Sequence, residues 1–243
     1  MANGNQKKIV KTAVVMIFLF LGVMFQVPEP CRGQDFAEKA YETGLKYAVQ
    51  GKFREAKEEF RQGLDINPNF SPLRQGLRIV EDVISLKIKA ETAVHLFKSA
   101  DFANQGLLDE SIAEDETAIQ LNPEYAAGYN SLGVSYIEKT MFEKAVSYLN
   151  KAIDIDPLLY ESYVMRGLAL VYQKKYPEAI SDYSKAIDMN PKDAGIYYNR
   201  ALACFLKGDS RNAAKDANHA KSLGFPVPQE FMDNIRQKLN SQL

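Results

Sequence analysis

Two histidines, two cysteines and scattered acidic pairs are the residues of this chain whose types could do chemistry. A metal site or an acid–base centre needs such groups at spacings that converge on one point. His95 and His219 fall in separate helical patterns, with no metal-ligand spacing around either and no glycine-rich phosphate loop behind a strand. Glu58 and Glu59 are adjacent, so on a helix they point to different sides and cannot flank one substrate. Cys204 sits among Ala201, Ala203 and Phe205 and reads as a small buried hydrophobe rather than a nucleophile. These patterns supply no catalytic, cofactor-binding or metal-ligating residue, and no cofactor is expected. The expectation is a protein that works by contact.

Composition narrows the contacts. The 243 residues carry 30 basic and 31 acidic side chains, a formal net charge of −1, which lacks the basic surplus of a nucleic-acid binder. Acidic runs such as 109–116 fall on helical pattern and read as a solvated face.

The N-terminus has a different composition. Lys7, Lys8 and Lys11 precede an uncharged apolar run of 13 residues, Ala13 to Phe25. That length suits the core of a secretory signal and falls short of the roughly 20 residues a spanning helix needs. Pro28 and Pro30 then break helix, and Cys31 and Gly33 offer small side chains before a cut at Gln34. Residues 1–33 are expected to be a cleaved signal peptide that exports the protein to the periplasm or cell envelope. The alternative is an uncleaved inner-membrane anchor over residues 12–27. Pro28, Glu29 and Pro30 argue against lipidation of Cys31. Cleavage moves the net charge to −4, through loss of Lys7, Lys8, Lys11 and Arg32 against Glu29, and leaves Cys204 without a disulfide partner.

Beyond the N-terminus the chain repeats itself. "MFEKAVSYLNKAIDIDP" at 141–157 and "KYPEAISDYSKAIDMNP" at 175–191 align at a shift of 34, and Pro123, Pro157 and Pro191 keep that period. A period of 34 indicates stacked helix pairs, each covering an apolar stripe its neighbour cannot bury alone. The eighth, twentieth and twenty-seventh positions are small in every unit: Gly44, Ala56, Gly63; Ser99, Ser111, Ala118; Gly133, Ala145, Ala152; Gly167, Ala179, Ala186; Ala201, Ala213, Ala220. Small facing residues let two antiparallel helices approach closely. On these positions the chain resembles the tetratricopeptide repeat family over most of residues 37–227.

The resemblance implies an all-α, right-handed superhelical solenoid. Its repeats would be 37–70, 92–125, 126–159, 160–193 and 194–227. Pro68 and Pro123 are 55 residues apart, so residues 71–91 are an insertion. It opens Ser71-Pro72 and keeps helical spacing through Leu73, Leu77, Val80, Ile84 and Ile88. No Gly or Pro occurs from Leu77 to Gln105, so the insert is either a separate helix or continuous with the next. In the second repeat His95 and Asp115 stand in slots usually filled by large residues. The last repeat ends in Phe225 rather than proline, and Phe231, Ile235 and Leu239 recur at helical spacing in a capping helix over 228–243.

In this family the first helices line a concave wall, which here implies Asn130, Val134 and Ile137; Val164, Leu168, Val171 and Tyr172; and Tyr198, Leu202, Phe205 and Leu206. The bland alternative is that several of these pack between helix pairs or under the cap. The family's carboxylate clamp is not expected, because its slots hold Tyr41, Leu45, Asn130, Val134, Glu161 and Met165 where basic donors are required. The function expected is a non-catalytic scaffold or assembly factor in the cell envelope, holding a partner protein or peptide in that groove. The alternatives are homo-oligomerisation through the inserted helix and, with less support, an enzyme. Membrane contact is expected only through an uncleaved N-terminus.

Overall fold

The computed structural model describes residues 32–241, and those residues form twelve helices joined by short turns, with no strand among them. The signal or anchor expected at the N-terminus lies outside the described residues except for Arg32 and Gly33, which open the first helix. The helices are α1 (Arg32–Val49), α2 (Phe53–Ile66), α3 (Ser71–Ile84), α4 (Ala90–Asn104), α5 (Leu108–Leu121), α6 (Ala126–Glu138), α7 (Phe142–Ile155), α8 (Tyr160–Tyr172), α9 (Tyr176–Met189), α10 (Ala194–Lys207), α11 (Ser210–Ser222) and α12 (Gln229–Asn240). They form two compact units, one through Ser135 and one from Tyr136 onward, with the boundary inside α6.

One cap is used at the end of every first helix. The backbone turns left-handed at Gly51, Gly106 and Gly208, and also at Thr140, Lys174 and Leu86. The following N–H reaches back five residues, as in Lys175 to the Leu170 carbonyl and Lys87 to the Asp82 carbonyl. This is the Schellman arrangement, which satisfies carbonyls the helix end leaves open. Four of the five second helices stop differently, while α11 ends on left-handed Gly224 in the same arrangement. Asn67, Asn122, Asp156 and Asn190 cap the four, and the proline that follows each cannot continue the helix.

The first unit resolves the insertion. α3 and α4 are separate helices, because the chain caps α3 at Leu86 and restarts at Ala90. No glycine was needed for the break, so the sequence left the choice open. Leu73 and Val80 of α3 are fully buried against α2, and Gly76 lies where an added Cβ would come within 2.8 Å of the Phe60 ring. Gly44 of α1 meets the same ring from the other side, at 2.4 Å. Phe60 therefore occupies a space that two glycines leave open. Part of the apolar face of α3 is thus packed inside this unit, while Ile84 and Leu86 at the end of the insert stay exposed.

Farther along the same unit the core turns polar. Asp115 of α5 occupies the slot that Phe60 fills in α2 and is completely buried. The Ser135 hydroxyl donates to it at 3.2 Å, Ser111 sits 3.1 Å from Ser135, and Ser99 sits 3.0 Å from Ser111. Its other oxygen, Oδ1, has no hydrogen-bond partner. Burial pushes the carboxyl up to about 7, against the pull of the surrounding serines. His95 of α4 contacts Glu114 of α5 beside it.

In the second unit the corresponding slot holds Tyr183, fully buried among Tyr163, Ala179, Ala186 and Ile196. An ion-pair pattern repeats here with the period of the helix pairs. Arg166 grips Asp182 with two hydrogen bonds at 2.8 and 2.7 Å and donates to Asn150 at 2.7 Å. Arg200 does the same to Asp216, at 2.7 and 2.9 Å, and to Ser184 at 3.0 Å. Each arginine thus ties its own second helix to the preceding one.

Candidate partner-binding face

Residues at register positions five, nine, twelve and thirteen of the first helices were the groove expected from sequence, and the structure separates them by position. Positions nine and twelve of the second unit are packed. Ile137, Leu168, Val171, Leu202 and Phe205 are all buried. Their apolar character stabilises the stack, since each is removed from water by a neighbouring helix. Positions five and thirteen stay half-exposed in α8, as Val164 and Tyr172, and Leu206 does so in α10. In the first unit Asn130 is buried and Val134 is half-buried.

Tyr198 and Phe205 need correction as groove residues, because the C-terminal helix already covers them. Phe231 of α12 meets both rings edge-on, with centroids 5.6 and 5.5 Å away, and Phe225 stacks on Tyr198 at 4.7 Å. Lys238 lies 4.1 Å over the Phe205 ring. Phe231 and Lys238 come from beyond the last repeat and Phe225 from its last residues, all out of reach of any reading of α10 alone. Burial pushes the Tyr198 hydroxyl up to about 12.

What remains accessible is a ridge of Val164, Tyr172 and Leu206. Tyr172 is held by Phe142, whose ring stacks on it with centroids 4.5 Å apart and planes within 5°. Glu138 occupies position thirteen of α6, the register of Tyr172 and Leu206, and was missed in the sequence reading because it is charged. Burial alone pushes its carboxyl up to about 7. The Arg166 and Arg200 pairs were also missed, although an arginine at position seven with an aspartate sixteen residues on is visible in both repeats.

The arrangement offers little to a reaction. Burial and the nearby Asp216 and Asp209 push the Cys204 thiol up to about 11, away from the reactive thiolate. Among the described residues no three His, Cys, Asp or Glu side chains converge as a metal site.

Models of known families match two stretches, "Tetratricopeptide repeat" at residues 126–157 and "TPR repeat" at 167–208. These stretches hold the α6–α7 pair, the end of α8, and all of α9 and α10. The chain carries tetratricopeptide repeats at these positions. Its fold is the all-α repeat solenoid shared by solved structures of low sequence identity. A thermophilic TPR protein of Thermus thermophilus, TTC0263, has a TM-score of 0.54 at 16% identity, covering 84% of this chain and 99% of that one. A crystal structure of MamA gives 0.51 at 19% identity, covering 86% and 97%. The Cut9–Hcn1 hetero-tetramer of the APC/C gives 0.56 at 18% identity, covering 84% of this chain and 42% of the other. No curated protein matches the chain. The repeats and the fold support a protein-interaction scaffold in general.

Proposed function

We propose that this tetratricopeptide-repeat protein is an exported scaffold of the cell envelope that holds a segment of a partner protein against the first-helix face of its second unit. The observation that carries the reading is the half-exposure of Val164, Tyr172 and Leu206 at register positions five and thirteen, on helices whose positions nine and twelve are packed. Apolar and aromatic side chains on a rigid helical support supply binding energy without the entropy cost of ordering a loop. The address rests on Lys7, Lys8 and Lys11 with the apolar run to Phe25.

The test places a photocrosslinking amino acid at Val164 and, as control, at the exposed Ser181 of α9. A single cross-linked partner from position 164 and none from 181 is expected in native envelope extract. Equal labelling from both positions, or none, removes the holding role. Leu168→Glu and Leu202→Glu would be poor probes, because both side chains are buried. Intact mass of the native protein tests the export reading: a chain beginning at Gln34 supports cleavage, and an unprocessed chain overturns it.

A further inference from the structure

In the second unit, basic side chains cover aromatic faces repeatedly. Lys144 lies 5.2 Å over Tyr136, Arg166 and Lys185 each lie 5.5 Å over Tyr163, Arg200 lies 5.8 Å over Tyr197, and Lys238 covers Phe205. The stacked pair of Phe142 and Tyr172 has no such cation among the described residues. Four residues before Phe142, at the same register position as Tyr172, stands Glu138, half-exposed and without an ion pair or hydrogen bond among the described residues. A carboxylate kept partly out of water with no counter-charge is a standing cost. Burial alone pushes this carboxyl up to about 7, with no opposing contribution from a neighbouring cation. An aromatic pair attracts a cation through its negative faces, and a carboxylate attracts it through charge.

We infer that Glu138, Phe142 and Tyr172 form a subsite for a cationic side chain, a lysine or arginine, carried by the held segment next to the apolar group that meets Val164 and Leu206. This rests on the holding role proposed above and adds the chemistry of the partner: basic beside apolar. A guanidinium has both a planar face for the rings and N–H donors for the carboxylate, so arginine is preferred over lysine.

The experiment pans a random short-peptide display library on the purified full chain and sequences what binds. Affinities of the selected peptides are then measured against the wild type, Glu138→Gln, Glu138→Lys and Val164→Glu, each checked for folding by circular dichroism. The expected result is enrichment of Arg or Lys beside Leu, Ile or Phe. Affinity should fall about tenfold in Glu138→Gln, the scale of one partly desolvated cation contact. A second panning on Glu138→Lys should shift the enrichment to Asp or Glu. Peptides that lose affinity in Val164→Glu yet show no basic enrichment and bind Glu138→Gln normally overturn this subsite and leave the holding role standing. A selection in which no peptide loses affinity in Val164→Glu overturns both.

Discussion

The two units treat the same core slot in opposite ways. Position twenty-four of a repeat is apolar throughout the second unit, as Leu149, Tyr183 and Ala217, and the Tyr183 ring is set against Gly167, whose added Cβ would fall 2.8 Å from it. In the first unit the slot is Phe60 in one repeat and Asp115 in the next. Where the ring is present, the facing eighth position is glycine; where the acid is present, it is Ser99, which has room because the aspartate is small. Charge follows the same division. The second unit pairs its buried Asp182 and Asp216 with arginines in two-pronged contacts, whereas the first buries one carboxyl among hydroxyls with an oxygen left over. A polar core costs stability unless it is fully satisfied. Asp115 should therefore make the stability of the first unit fall as pH rises through about 7, with a smaller response of the same sign from Glu138 in the second.

The largest effect should come from the ring. Phe60→Ala empties a space defined by Gly44 and Gly76 and should cost about 3–5 kcal/mol in denaturant unfolding; a loss below about 1 kcal/mol would mean that α3 closes the gap. Asp115 comes next, and its sign is opposite to that of an ordinary paired carboxylate. Its carboxyl is raised from 3.8 to about 7 in the folded chain, so the folded state holds the proton more tightly than the unfolded state between those values. Its contribution is therefore fully present below the unfolded value and lost as pH rises through the folded one. Between pH 5 and 8 that loss amounts to roughly 3 kcal/mol. Asp115→Asn should remove this part of the slope in a series of melts across that range, and a slope unchanged from the wild type would show that the buried acid does not set it.

The ladder of the second unit gives a smaller effect. Asp216→Ala strands Arg200, which is about one-fifth exposed, and should cost roughly 2 kcal/mol, less than a fully buried pair because solvent screens the arginine. The double change with Arg200→Met should recover part of the loss; no recovery would mean that the pair contributes packing rather than charge. The smallest effect is a gain. Lys174 holds a left-handed backbone at φ 62°, so Lys174→Gly should raise stability by about 1 kcal/mol, read as a higher melting temperature.

Much of this molecule is written in its residue spacing. The 34-residue period, the small side chains at Gly167, Ala179 and Ala186, and the prolines after four of the five second helices follow from contacts between helices a few residues apart in sequence, so local pattern encodes them. The departures at His95 and Asp115 were visible for the same reason, as the wrong residue type in a known slot. The candidate face was legible only in part. Val164, Tyr172 and Leu206 stay accessible while Leu168 and Phe205, on the same helices, do not. Periodicity tells which side of a helix is apolar, but not what arrives to cover it. That α12 delivers Phe231 onto Tyr198 and Phe205, that Gly76 of α3 meets Phe60, and that Phe142 stacks on Tyr172 were decided by tertiary structure alone. Each depends on the placement of a separate element, which no single helix's pattern contains.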